Sequence, residues 1–396
     1  MYRIALKMLV ADRAKFAGLL FGIAFTSFLV TFAASYFCGF MTRGFALVTE
    51  NGAADVWVMD PAVQSAEQTI NLPGSALDRV RSVEGVRYAV PLALGNVDAR
   101  FANGSFQSFQ VIGVDDASLA GSPAVPGVNR SELRARSAVI VDPGGTSGKL
   151  QTPSRPVDQW PHDGAHLEVP TRELARGDEL LINDRLVRVL GKSEGLPRFP
   201  PRPLLYTTLS NAMRILPAEP HTLTFVMATA AGIVTPRALA TRIQQRTGLR
   251  ARSAQDFKSD TVRWFLVNSE DVGDIAAMLT LAMTMGFGVT GVMLYMFTYE
   301  NQRQYAVLRA LGATSRTLIA MVLFQAAVCA LLGTGIGLGL CGLAGEAVIG
   351  LGFPFRMMWF TPLVGILGVL VVCVAAAAIS ARPLLKLQPA VVFAGR

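Results

Sequence analysis

The sequence predicts an α-helical membrane protein with four transmembrane helices and a large mixed α/β extracytoplasmic (periplasmic) domain between the first and second of them. Composition is the first of three observations behind this. Of 396 residues, 52% are hydrophobic and only 16% charged, with a mean hydropathy of +0.41, outside the usual range of soluble domains. Second, four stretches lack any Asp, Glu, Lys or Arg: Phe16 to Thr42, Ile275 to Tyr299, Thr317 to Gly345 and Met357 to Ala381. Each exceeds the roughly 20 residues that cross a bilayer core. Third, the segments before the first span, between the second and third, and after the fourth hold ten basic residues against two acidic ones, Asp12 and Glu300, which is the whole formal charge of +8. Positively charged flanks stay inside. Both termini and the loop over 300–316 are therefore expected in the cytoplasm, in a multi-pass inner-membrane protein, with 43–274 outside.

Taken in order, residues 1–15 form a cytoplasmic amphipathic segment, with Ile4, Met8 and Leu9 toward lipid and Arg3 and Lys7 toward phosphate. The span at 16–42 follows a leader-like basic flank, but its apolar core is longer than the roughly 15 residues of a signal peptide. Phe37 also stands where lipoprotein cleavage needs a small residue before Cys38. The segment is read as an anchor. In the domain over 43–274, "ADVWVMD" predicts a strand, and "GSALDRVRSVEGVRYAVPL" a short helix, a turn at Gly85 and a strand. "SFQVIGVD" is a further strand, and "DELLINDRLVRVLG" a hairpin turning at Asn183-Asp184. "HTLTFVMATA" is another strand, and "TPRALATRIQQRT" a helix capped by Thr235 with Pro236 at its first position. "SAQDFKSDTVRWFLVNSEDVGD" predicts a stalk helix running into the span at 275–299. After the loop at 300–316 come a span at 317–345, a short periplasmic loop at 346–356 balancing Glu346 against Arg356, a span at 357–381 and a cytoplasmic tail at 382–396. All four cysteines (Cys38, Cys329, Cys341, Cys373) lie in the spans. No disulfide framework is expected in the outward domain, which must fold on its own core.

Several motifs point nowhere. "GLGLCG" (Gly337 to Gly342) matches a dinucleotide fingerprint in letters, yet it sits inside an apolar span with no strand before it. The row Gly333, Gly335, Gly337 and Gly339 instead supplies the small-residue spacing that lets membrane helices approach closely. "PGGTSGKL" (Pro143 to Leu150) has Pro143 for the first Gly of a phosphate loop and Leu150 for the magnesium-holding Ser/Thr. His162 and His166 in "PHDGAHLE" are spaced like ligands, but Gly164 and Pro161 argue against a helix there, and a solvated loop is the plainer reading. His221 is the remaining histidine. No nucleophile, base and orienting acid converge, so neither a catalytic role nor a metal or cofactor in this chain is expected. The spans also lack the ionisable residue that an ion-driven transporter keeps in the membrane, so energy must enter elsewhere. Gln325, their most polar interior residue, is read as an interhelical hydrogen bond.

The stretch "NQRQYAVLRALGAT", residues 301–314, lies between two apolar spans and reads as a short, amphipathic, basic helix at the cytoplasmic surface. On a helix, Tyr305, Leu308 and Leu311 share a face with Val307 at its edge, Arg303 and Gln304 point away, and Gly312 ends the helix in a left-handed turn. Thr314 or Ser315 then caps the next span. A helix lying on lipid headgroups is the alternative.

"RQYAVLRALGA" (Arg303 to Ala313) resembles the signature of the FtsX/MacB-like ABC transporter permease family, and Gln304-Tyr305, in place of the common Glu-Ile or Glu-Phe, resembles its DevC-type branch. The resemblance extends over the whole chain: one span, an outward domain beginning "SVEGVRYAVPL", three more spans and a closing "LLKLQPAVVF". It implies a permease subunit whose ATP and magnesium sit in a separate cytoplasmic ABC ATPase, because this chain has no Walker A motif. It further implies that Arg303, Gln304, Tyr305, Val307, Leu308, Arg309, Leu311 and Gly312 form the ATPase-coupling helix, seated in a groove of that ATPase. ATP-driven closure would be transmitted mechanically to the outward domains. Four spans are too few for a translocator, so a homodimer among membrane lipids is expected, exporting a lipid-like or amphipathic substrate with a periplasmic membrane-fusion adaptor and an outer-membrane channel. Two rivals share the topology. An FtsX-like regulator or scaffold would control an envelope enzyme, and a membrane-anchored enzyme would need a convergent polar cluster that the sequence does not offer. The basic pI reports topology and not nucleic-acid binding.

Overall fold

The computed structural model describes residues 2–146, 148–154, 159–217, 222–232 and 234–385. His221 and the closing residues from 386 lie outside them. The chain divides into two units, residues 1–40 with 269–396, and residues 41–268. It opens with helix α1 (Tyr2–Ala11) and the long α2 (Arg13–Gly44).

The second unit is mixed α/β. In chain order it contains α3 (Ala46–Glu50), β1 (Val56–Met59), α4 (Ser75–Arg81), β2 (Val86–Arg100), β3 (Phe106–Val114), β4 (Ala138–Asp142), β5 (Glu179–Ile182), β6 (Arg185–Lys192), β7 (Leu204–Thr208), α5 (Leu209–Ile215), β8 (Phe225–Ala230), α6 (Pro236–Thr247), β9 (Arg250–Ser253) and α7 (Ala254–Asn268). These strands form one sheet in the order β9-β1-β8-β2-β3-β7-β4-β6-β5, and β5 returns to pair with the end of β2 at Ala99 and Arg100. The length of β2, 15 residues, explains how one strand serves two layers. Its start pairs with β8. Its end closes the ring β2-β3-β7-β4-β6-β5 around a core that includes Val97, Phe109, Val139, Leu180, Val189 and Leu205. In the open half, Val80, Leu239 and Ile243 bring α4 and α6 onto the sheet, while Trp57, Phe225 and Phe257 form an aromatic nucleus with Trp57 and Phe225 edge to face at 5.5 Å.

Local chemistry holds where the sequence predicts it. Asn183 (φ 46°) and Asp184 (φ 60°) turn the β5–β6 hairpin, the two positive values that such a two-residue loop needs. Thr235 caps α6 by accepting from the Ala238 N–H, with Pro236 next. The continuous stalk helix is not found: α7 ends at Asn268, and Ser269 has extended backbone (φ −95°, ψ 125°) before α8 (Glu270–Glu300) begins. Glu270 and Asp271 in the first turn of α8 favour a fresh helix start there.

The first unit continues with α9 (Gln302–Ala310), α10 (Ser315–Gly350) and α11 (Thr361–Leu385). Helices α2, α8, α10 and α11 are each long and apolar enough to cross a membrane. They meet in one core where Leu19, Ile23, Leu294, Cys329, Val369 and Cys373 pack. The glycine row of α10 splits in two. A Cβ on Gly333 would lie 2.7 Å from Ile23 Cγ2, and one on Gly337 only 2.4 Å from the Ala24 carbonyl, whereas Gly335 and Gly339 face open space. Only the i, i+4 pair is therefore a seat for α2. Gly337→Leu is expected to force the α2 and α10 backbones apart and cost upward of about 1–3 kcal/mol. Gly335→Leu should leave the thermal midpoint of the detergent-solubilised chain unchanged. Equal midpoints for the two variants would contradict this packing.

Helix α1 differs from its expected pose. Met8 and Leu9, read as facing lipid, are buried with Ala5 against the rest of the first unit. Positions 5, 8 and 9 form one helical stripe, so protein takes the apolar face and Ile4 stays 43% exposed.

Candidate coupling site

The connection from α8 to α10 is a tight structure built from its own sequence. Asn301 ends α8 by donating Nδ2–H to the Phe297 carbonyl (2.8 Å). Helix α9 follows and stops at Gly312, whose φ of +95° suits a residue without a Cβ. The Ala313 N–H reaches back to the Leu308 carbonyl and the Gly312 N–H to the Arg309 carbonyl, both at 3.0 Å. This paired closure satisfies the last carbonyls of the helix. Thr314 then caps α10 by accepting from the Thr317 N–H.

Tyr305 is fully buried with Ala306, among Ala5, Met8, Leu318, Met321 and Val322. Its hydroxyl donates to Gln325 Oε1 (3.0 Å), and Gln325 Nε2 donates to the Ala5 carbonyl (2.8 Å). Burial raises the phenol pKa to about 12, partly offset by the Gln325 hydrogen bond, so at neutral pH the proton stays on oxygen and fixes the direction of this chain. Gln325 thus ties α9, α10 and α1 together, a more specific role than a generic interhelical bond. A second tie runs through Lys15, which pairs with Asp12 (2.6 Å) and with Glu300 at the end of α8.

The shared face expected for Tyr305, Leu308 and Leu311 is therefore divided. A step of three residues drifts by about 60° around a helix. Tyr305 points inward, Leu308 packs partly against the same cluster, and Leu311 is 80% exposed. Val307 is 44% exposed, and Arg303 and Gln304 are exposed while Arg309 is half-buried. The surface of α9 that is available to another molecule is Val307, Leu311 and the polar side chains beside them. Elsewhere, His166 Nε2 lies 3.1 Å from Asp163 Oδ1 in an exposed loop.

Sequence reasoning missed a polar network in the α/β unit. Glu50, at the end of α3, accepts from the Leu196 N–H (2.6 Å), from the Tyr206 hydroxyl (3.1 Å) and from Arg198. The only signal for it is the unusual density of Arg198, Arg202 and prolines in "GLPRFPPRP".

Residues 276–389 match the family described as FtsX-like permease C-terminal. The chain is 32% identical over 125 residues to an uncharacterized ABC transporter permease protein of Mycobacterium tuberculosis, a match covering 30% of this chain and 14% of that relative. The chain thus spans about one seventh of the curated relative. Among solved structures, the periplasmic region of MacB from Actinobacillus actinomycetemcomitans is similar at 12% identity and a TM-score of 0.35, over 54% of this chain and 94% of that one. The extracellular domain of the noncanonic ABC-type transporter YknZ from Gram-positive bacteria is similar at 11% identity and a TM-score of 0.30, over 50% of this chain and 98% of that one.

Proposed function

We propose that this chain, whose residues 276–389 match the FtsX-like permease C-terminal family, is the membrane subunit of an ABC transporter driven by a separate ATPase. The observation that carries this reading is that the matched segment contains α9, a short capped helix with Val307 and Leu311 open to a partner. In this reading Val307, Leu311, Arg303 and Gln304 meet the ATPase, and Leu308 and Arg309 flank the contact. Tyr305 and Gly312 hold the helix in place. ATP and magnesium belong to the partner, and the chain itself catalyses nothing. The excess of basic residues beside the spans supports an inner-membrane orientation with both termini and α9 in the cytoplasm and the α/β unit outside. Two copies would assemble into the working permease. A DevC-type exporter of a lipid-like or amphipathic substrate, with a membrane-fusion adaptor and an outer-membrane channel, is the form that the Gln304-Tyr305 signature favours.

Reconstitution tests the reading. The purified chain is expected to show no ATP hydrolysis, and co-expression with its cognate ABC ATPase should yield a complex that hydrolyses ATP. Turnover by the chain alone, or failure to recover any ATPase, would refute it.

A further inference from the structure

Where β4, β6 and β7 meet α5, a cavity of about 210 Å³ is lined by Arg136, Arg185 and Arg214. They come from three separate elements: Arg136 precedes β4, Arg185 opens β6 and Arg214 lies in the last turn of α5. None of the three guanidinium groups has a carboxylate partner among the described residues. Elsewhere in this unit Arg172, Arg176, Arg237 and Arg250 engage Asp178, Glu132, Asp256 and Asp260. All three are exposed to solvent, and three cations lining one small cavity suit an anionic ligand.

The floor of the cavity is held firmly. Ser137 has a left-handed backbone (φ 61°), uncommon for a residue with a side chain. Its N–H donates to Asn211 Oδ1 (3.4 Å), and its carbonyl accepts from the Arg188 N–H (2.8 Å). Asn211 Nδ2 in turn donates to the Ala135 carbonyl (2.9 Å). Ser137 lies in the lining beside the arginines. Leu186, 49% exposed, gives the cavity an apolar wall. Planar guanidinium forks match the oxygens of phosphate better than any point charge does, and an apolar wall suits an ester whose other end is hydrocarbon.

We propose that this cavity is a phosphate-binding site of the α/β unit, occupied by the free anion or by the phosphate of a lipid headgroup. The site does not depend on how the helical unit is driven, and it can fail or stand while the ATPase reading does the opposite. The test is calorimetric titration of the full chain in a neutral maltoside detergent with inorganic phosphate and, separately, with dihexanoyl phosphatidic acid. Saturable binding is expected, weakened roughly tenfold or more in Arg136→Gln/Arg214→Gln because charge-assisted hydrogen bonds are lost. Arg136→Lys/Arg214→Lys should retain part of the affinity, and Arg263→Gln, on exposed α7 surface, all of it. Tighter binding of the short-chain lipid assigns the site to a headgroup, and equal binding assigns it to the free anion. Absence of saturable binding by either probe, or wild-type affinity in the double glutamine variant, would overturn the proposal. So would an equal loss in Arg263→Gln.

Discussion

Leu311→Asp is expected to abolish recovery of an ATP-binding subunit with this chain while the chain itself folds and inserts as before. Leu311 is 80% exposed, and a surface substitution of this kind changes intrinsic stability by about 0.5 kcal/mol at most. Seated in a partner's groove, the same side chain would contribute roughly 1.5–3 kcal/mol of apolar burial. Aspartate would forfeit that and place an unpaired charge in the contact, which together exceed a hundredfold in affinity. Leu308→Asp is the less clean probe, because Leu308 also packs against the Tyr305 cluster and its loss would loosen α9 itself. The comparison is a pull-down at matched amounts of permease. Full ATPase recovery from Leu311→Asp would mean that the helix lies on headgroups.

The second large effect is expected at Glu50. The Arg198 side chain is only 3% exposed, and Glu50 is its carboxylate partner. Nearby, burial pushes the Glu67 carboxyl up while Arg202 and Arg198 pull it back, so this region already carries the cost of desolvated charge. Glu50→Ala would leave Arg198 buried without its carboxylate partner, a loss of about 3–5 kcal/mol, and would also remove the acceptor of the Leu196 N–H and of the Tyr206 O–H, which keeps only the hydrogen bond that it accepts from Arg198. The exposed pair Lys192–Glu173 sets the contrast, since Glu173→Ala should cost no more than about 1 kcal/mol. Thermal unfolding of the two variants separates them, and Glu50→Ala/Arg198→Met should regain part of the loss. Similar midpoints for Glu50→Ala and Glu173→Ala would show that the network does not hold the α/β unit together.

Local signals in the sequence were legible where a short stretch decides its own conformation. Asn183-Asp184 fixes its hairpin, Thr235 and Pro236 start α6, and Gly312 stops α9, because each depends on a few neighbouring dihedrals and hydrogen bonds. What was hidden depends on pairing across distance. No local pattern shows that β2 closes a ring through Ala99 and Arg100, or that Arg136, Arg185 and Arg214 share a cavity. The inward turn of Tyr305 was hidden for a related reason. A helical projection groups it with Leu308 and Leu311, whereas α1 and the first turns of α10, with Gln325, supply the surroundings that bury it. Met8 and Leu9 follow the same logic, since their apolar stripe can meet lipid or protein equally well.

A photo-crosslinking residue placed at Leu311 shows whether α9 is where a separate ATPase transmits its motion. A benzophenone side chain there should form an adduct between this chain and the co-expressed ATP-binding subunit, whereas the same group at exposed Leu331 on α10 should not. Adducts from position 311 with lipid alone, in a preparation where the ATPase is present and bound, would mean that α9 is not the coupling element.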